Sequence, residues 1–123
     1  MNRQIIEELQ NIVGPEQVLT SPEDLICYSY DGTFTEHQPD VAVLPACTGE
    51  VSEVLKLAYR EEIPVVPRGM GSGLAAGSIP FSGGIALSLT RMNRILEIDH
   101  ANMMATAQAG VIAADLAAAV EAK

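Results

Sequence analysis

The feature that most constrains this chain is a strand–helix–strand pattern, punctuated by prolines, between residues 41 and 67. Val41-Ala42-Val43-Leu44 is a short apolar run ended by Pro45. A helix is expected over Thr48–Glu62, in which Val51, Val54, Leu55 and Ala58 recur at helical spacing. Glu50 and Glu53 fall in its early turns and Lys56 and Arg60 in its later ones, the favourable sense for the helix dipole. Pro64 follows, and Val65-Val66-Pro67 reads as a short buried strand. Two strands joined by one helix run parallel, with a right-handed crossover. The pattern therefore predicts an α/β fold built on a small parallel sheet.

The flanks supply the rest of the elements. Residues 3–13 read as an amphipathic helix, with Ile5, Ile6, Leu9 and Ile12 or Val13 on one face, stopped by Gly14-Pro15. Ser21 caps a helical turn with Pro22 at its first position, carrying Leu25, Ile26 and Tyr28. Residues 31–39 are loop. Ile85-Ala86-Leu87-Ser88-Leu89 alternates as a half-buried strand does. Residues 94–99 and 103–109 read as two strands joined by a turn at His100-Ala101-Asn102, and residues 112–122 as a last helix with Ile112, Leu116 and Val120 on one face. Aromatic residues make up only 4% of the chain and tryptophan is absent, so the core must be aliphatic.

Charge excludes some functions and locates another. With 16 acidic against 7 basic residues the chain carries −9, the wrong sign for general nucleic-acid binding. No apolar run approaches the roughly 20 residues of a membrane span. Cys27 and Cys47 are too few for a disulfide scaffold, and are expected as reduced, packed thiols in a cytoplasmic protein. The acidity is uneven, however. Residues 63–96 contain no Asp or Glu but do contain Arg68, Arg91 and Arg94, so this window is +3 while the remainder, four basic against 16 acidic, is −12. Six of the ten glycines lie in the same window. A glycine-rich, acid-free, arginine-bearing stretch suits a bound anion, because backbone N–H groups can approach it with no carboxylate opposing them.

The candidate site is Pro67-Arg68-Gly69-Met70-Gly71-Ser72-Gly73-Leu74-Ala75-Ala76-Gly77. Glycines at alternate positions let successive N–H groups point into one concavity that fits a phosphate or pyrophosphate. A P-loop requires Gly-Lys-Ser/Thr, and no lysine lies between Lys56 and Lys123. Gly71, Gly73 and Ala76 satisfy a dinucleotide fingerprint, with Glu97 about 20 residues on. That fingerprint must open a long helix, which Pro80 and Gly83-Gly84 forbid. What is left is a phosphate-cradling loop between strands. Arg68 either meets the anion or bridges a surface carboxylate, and Arg91 and Arg94 read as surface residues. Ser72 lacks the frame of a nucleophile. His37 and His100 are too scattered for a metal site, Glu97 and Asp99 flank a turn and are expected only to solvate it, and Met103-Met104 is expected to pack within a strand.

The residues around this loop resemble a known family. Residues 63–74, followed by Gly83-Gly84-Ile85-Ala86-Leu87-Ser88-Leu89 and Met92-Asn93-Arg94-Ile95-Leu96-Glu97-Ile98-Asp99, resemble the FAD-linked oxidases. These share the FAD-binding fold of vanillyl-alcohol oxidase and p-cresol methylhydroxylase. Tyr28-Ser29-Tyr30-Asp31 and Gln108-Ala109-Gly110-Val111 look like the branch containing the glycolate oxidase catalytic subunit and D-lactate dehydrogenase. Family members commonly carry Gly where Met70 and Ala76 stand, and a Met held at positive φ is strained.

The resemblance implies the first subdomain of the p-cresol methylhydroxylase-type FAD-binding fold: a small parallel sheet flanked by helices, plus a strand pair. It divides the chain into an amino-terminal helical segment and loop, residues 1–38, and the first part of the FAD domain, residues 39–123. It implies that residues 67–74 bind the FAD pyrophosphate, with Gly77 and Ser78 beside them. In relatives FAD takes a hydride from the α-carbon of a 2-hydroxy acid, and catalytic groups and any metal ligands lie in later parts of the chain. The expectation is an amino-terminal fragment, inactive alone, whose partners are the second half of the FAD domain, a cap domain and, in the parent, a small-molecule 2-hydroxy acid. Bare apolar faces on such a piece predict self-association. The alternative is a non-catalytic nucleotide-binding or protein-interaction module.

Overall fold

The computed structural model describes residues 1–28, 38–69 and 83–122. Helix α1 (Arg3–Val13) starts at Asn2, whose side chain accepts from the Gln4 N–H at 2.7 Å, and stops at Gly14 with φ 99°. A 3₁₀ turn at Pro15–Gln17 leads into β1 (Val18–Leu19). Helix α2 (Pro22–Ile26) is capped by Ser21, which accepts from Asp24 N–H at 3.3 Å and donates to the Asp24 carboxylate at 2.8 Å. Strand β2 (Val41–Val43), helix α3 (Thr48–Arg60) and strand β3 (Val65–Arg68) form the unit expected from the proline-punctuated pattern. Strand β4 (Ile85–Ser88) follows, then the antiparallel pair β5 (Ile95–Asp99) and β6 (Met104–Ala107), and helix α4 (Ala113–Glu121).

The main sheet has the order β1-β2-β4-β3, with β2, β4 and β3 parallel and β1 antiparallel at the edge. The two strands of the strand–helix–strand unit are therefore parallel but not adjacent, because β4 inserts between them. Burial explains this placement. Every residue of β4 is buried, which corrects the half-buried expectation. A central parallel strand is covered on both faces, so its alternation is between two cores and not between core and solvent. Ile85 and Leu87 join Val41, Val43, Leu9, Val13, Val54, Leu57 and Ala58 on the α1/α3 face. Ala86 joins Ala42 and Leu25 of α2 on the opposite face.

Two glycines make the connections possible. Gly84 has φ 75°, and a Cβ there would overlap the Pro64 carbonyl. The close approach lets Ile85 N–H donate to Pro64 O at 2.9 Å, while Gly84 donates to Asp40 Oδ2 at 2.9 Å and accepts from Asp40 N–H at 2.9 Å. Gly110 passes against the Leu89 carbonyl where no side chain fits, and donates to Met92 O at 2.8 Å, tying the strand pair to the end of β4.

Three smaller expectations are corrected. Cys27 and Cys47 are free thiols but exposed, not packed, since each sits at a helix end outside the core. Met103 is 93% exposed and Met104 62%. Met103 lies in the turn with φ 53°, and the β5–β6 pair has an uncovered face, so neither packs as a strand methionine. Asp99 does more than solvate its turn: it accepts from Asn102 N–H at 3.2 Å and Nδ2 at 2.7 Å, which holds its carboxyl below the usual carboxylate range. No helix among the described residues is long and apolar enough to cross a membrane.

Candidate functional site

Strand parity decides which side chains meet at the carboxyl end of the sheet. Along a strand, alternate residues share a face. Ala42 and Ala86 lie on the α2 face, so Ser88 follows Ala86 onto that face. Arg68 pairs with Ser88 in register and lies beside it. The two alanines matter here, because their small side chains bring α2 close to the sheet through Leu25. The chain leaving α2 then reaches Tyr28, whose N–H donates to Leu25 O at 3.0 Å.

Arg68 is 7% exposed and Ser88 1%, and they are the two buried polar side chains among the described residues. The Arg68 guanidinium carbon stands 5.3 Å from the centre of the Tyr28 ring, a cation–π geometry. Ser88 Oγ is 3.1 Å from Thr90 Oγ1. Burial pushes the Tyr28 phenol above its ordinary 10.0, with the Arg68 charge opposing that rise.

Arg91 is exposed, as expected, but it is not idle. Its Nη1 donates to Leu44 O at 2.7 Å, so the residue just after β4 clamps the carboxyl end of β2. Arg94 uses its backbone N–H, which donates to Gln108 Oε1 at 2.9 Å across the β5–β6 pair. Pro67 is exposed on β3, and Gly69 is partly exposed, with no atom of the described residues within 4 Å of where a Cβ would stand. Met70, Gly71, Ser72, Gly73, Leu74, Gly77 and Ser78 lie outside the described residues, as does His37. Gly83 and Gly84, counted with the glycine-rich window, belong elsewhere: they stand at the amino end of β4, beside Asp40 and Pro64.

Open-sheet α/β folds bind ligands outside the carboxyl ends of their strands. The arrangement here is a buried cation at that edge, backed by an aromatic face, immediately before the glycine-rich run. It can neutralise a phosphate or pyrophosphate and leaves backbone room next to it. Sequence reasoning named Arg68 but missed Tyr28, Ser88 and Thr90 as its surroundings. The signal available for Tyr28 was its place in the Tyr-Ser-Tyr-Asp stretch; for Ser88 it was a hydroxyl at the end of an otherwise apolar strand.

Known proteins resemble this chain in sequence and in fold. A family model described as FAD binding domain matches residues 39–123. Glycolate oxidase subunit GlcD of Bacillus subtilis (strain 168) is 40% identical over 124 residues, covering 100% of this chain and 26% of that protein. D-lactate dehydrogenase of Anaerostipes hadrus is 36% identical over 116 residues, covering 93% of this chain and 24% of that protein. The solved structure of p-cresol methylhydroxylase with substrate bound matches with a TM-score of 0.82 at 24% identity, covering 97% of this chain and 24% of that one, which shows the shared fold. The chain thus spans about a quarter of the length of the curated relatives it matches.

Proposed function

The chain belongs to the FAD binding domain family, and from that premise we propose that it supplies the pyrophosphate-holding part of a flavin-dependent oxidoreductase acting on a 2-hydroxy acid. The observation that carries this reading is the pairing of the two buried polar side chains, Arg68 and Ser88, at the carboxyl edge of the sheet. The names of the similar proteins, glycolate oxidase and D-lactate dehydrogenase, supply the substrate class. Bound FAD would supply the two-electron acceptor for a hydride leaving the substrate α-carbon.

The chain's own residues hold and orient. Arg68 places a desolvated positive charge at the start of the loop, where it offsets pyrophosphate charge at low local dielectric. Gly69 adds no side chain next to it. Residues 67–74, with Gly77 and Ser78, form the proposed cradle, and the lack of acids from 63 to 96 keeps opposing carboxylates away. We place no catalytic group in this chain. Residues 1–38 form the amino-terminal segment and residues 39–123 the first part of the FAD domain. The second half of that domain and a cap domain complete the enzyme. The free thiols Cys27 and Cys47 support a reducing, cytoplasmic setting. Exposed apolar side chains, Met103, Met104 and Tyr59 among them, support self-association of the 123-residue chain.

The experiment is flavin reconstitution of the whole protein. It is expected to purify with bound flavin or regain it from added FAD, and to reduce that flavin with a 2-hydroxy acid. Arg68→Met is expected to weaken FAD binding on the order of 10–100-fold, the range for losing a charged hydrogen-bond partner. A protein that takes up no FAD overturns the reading.

A further inference from the structure

We propose that Tyr28 is a positioning residue for the anion site: its ring face holds the Arg68 guanidinium at the carboxyl edge of the sheet. The inference deepens the proposed function and rests on it. Nothing in the chain's local sequence brings Tyr28 and Arg68 together. The sheet does so, by placing Arg68 and Ser88 in register on the α2 face.

An arginine side chain has several rotatable bonds, and a flat aromatic face stacked on its guanidinium restricts them. The Tyr28 ring is such a surface, at 5.3 Å from the guanidinium carbon, within the roughly 6 Å range of a cation–π contact. Tyr28 is itself held by α2 and the sheet. Its backbone N–H donates to Leu25 O at 3.0 Å, and its side chain packs against the cluster of Leu25, Ala42 and Ala86. Movement of α2 relative to the sheet would carry the ring with it, so the small residues at 42 and 86 set where the charge of Arg68 points. Burial of the phenol keeps the ring neutral at and above neutral pH, the state whose face attracts a cation.

A merely structural Tyr28 would act through packing, and a positioning Tyr28 acts through Arg68. The two differ in a double-mutant cycle. In the FAD-binding whole protein, Tyr28→Phe keeps the ring and is expected to stay within about threefold of the parent affinity. Tyr28→Leu keeps apolar volume without the aromatic face and is expected to weaken FAD and ADP alike by about tenfold. In the Arg68→Met background, Tyr28→Leu is expected to cost nothing further. The ligand-free protein gives a second readout by NMR: the Arg68 side-chain N–H resonance should show a ring-current shift that Tyr28→Phe keeps and Tyr28→Leu abolishes. Should Tyr28→Leu fail to fold, Tyr28→Met takes its place in both measurements. Normal FAD binding by the parent with unchanged affinity in Tyr28→Leu, or fully additive losses in the cycle, overturns this inference alone. Absence of FAD binding by the parent overturns the functional reading and this inference with it.

Discussion

At the scale of single residues, the decisive positions are those where one atom more has nowhere to go. Gly84 combines φ 75° with a Pro64 carbonyl in the space a Cβ needs. Gly84→Ala is therefore expected to destabilise the fold by about 3 kcal/mol, measured by urea unfolding, since strained φ and overlap with backbone combine. Asp99 gives a pH test. Its folded carboxyl is held low by the two Asn102 bonds, so its stabilising effect is present above the unfolded value and is lost as pH falls through the folded one. Asn102→Ala should raise the Asp99 midpoint toward the ordinary carboxylate range, read by NMR titration. Arg68 was legible as a candidate because it precedes alternating glycines. Its burial and its aromatic backing were not, because both depend on which strand ends up beside β3.

Whole elements were legible where their boundaries carry side-chain chemistry. Ser21 and Pro22 announce α2, Gly14 ends α1, and the charge order of α3 matches its direction. The 3₁₀ turn and β1 escaped notice because Val18–Leu19 is a strand only by pairing with β2, and nothing in so short a segment signals a partner. The end of α3 was overrun by the periodicity, which continues to residue 62. The helix closes with Glu62 at φ 56°, where Glu62 N–H donates to Tyr59 O at 3.3 Å and Ile63 N–H to Ala58 O at 2.9 Å. That is a Schellman closure with a side chain where glycine is preferred. Glu62→Gly is expected to raise stability by up to about 1 kcal/mol in the same unfolding assay. Arg91 binds the end of β2 to the turn after β4. Arg91→Met should cost about 1 kcal/mol and expose the Leu44–Pro45 edge to faster backbone hydrogen exchange.

For the whole molecule, the sequence pattern identified the parallel sheet and left its strand order open. Two strands joined by a helix must be parallel, but β4 took the central place because it is the strand buried on both faces. The family resemblance carried what pattern reasoning alone did not, the likeness to p-cresol methylhydroxylase-type domains. The uneven charge marked one window that merges two separate parts of the fold, the loop start at Arg68 and the strand start at Gly84. The β5–β6 pair and α4 leave Leu96, Met103, Met104, Ile112 and Val120 exposed. Replacing Met103 and Met104 together by Ser is expected to shift the 123-residue chain toward monomer in sedimentation, with its unfolding midpoint little changed because neither residue is in the core.

The strand starts are bound together at Gly84, and the chain leaves the opposite edge at Arg68. A strand of four residues spans only about 13 Å, so residues 69–83 are far more chain than the crossing needs. Both of their anchors, Arg68 and Gly84, belong to the sheet. Closing twice the length between the same two anchors costs only about 0.6 kcal/mol. Lengthening the segment between these two anchors is therefore expected to leave the unfolding midpoint of the sheet almost unchanged in a urea titration.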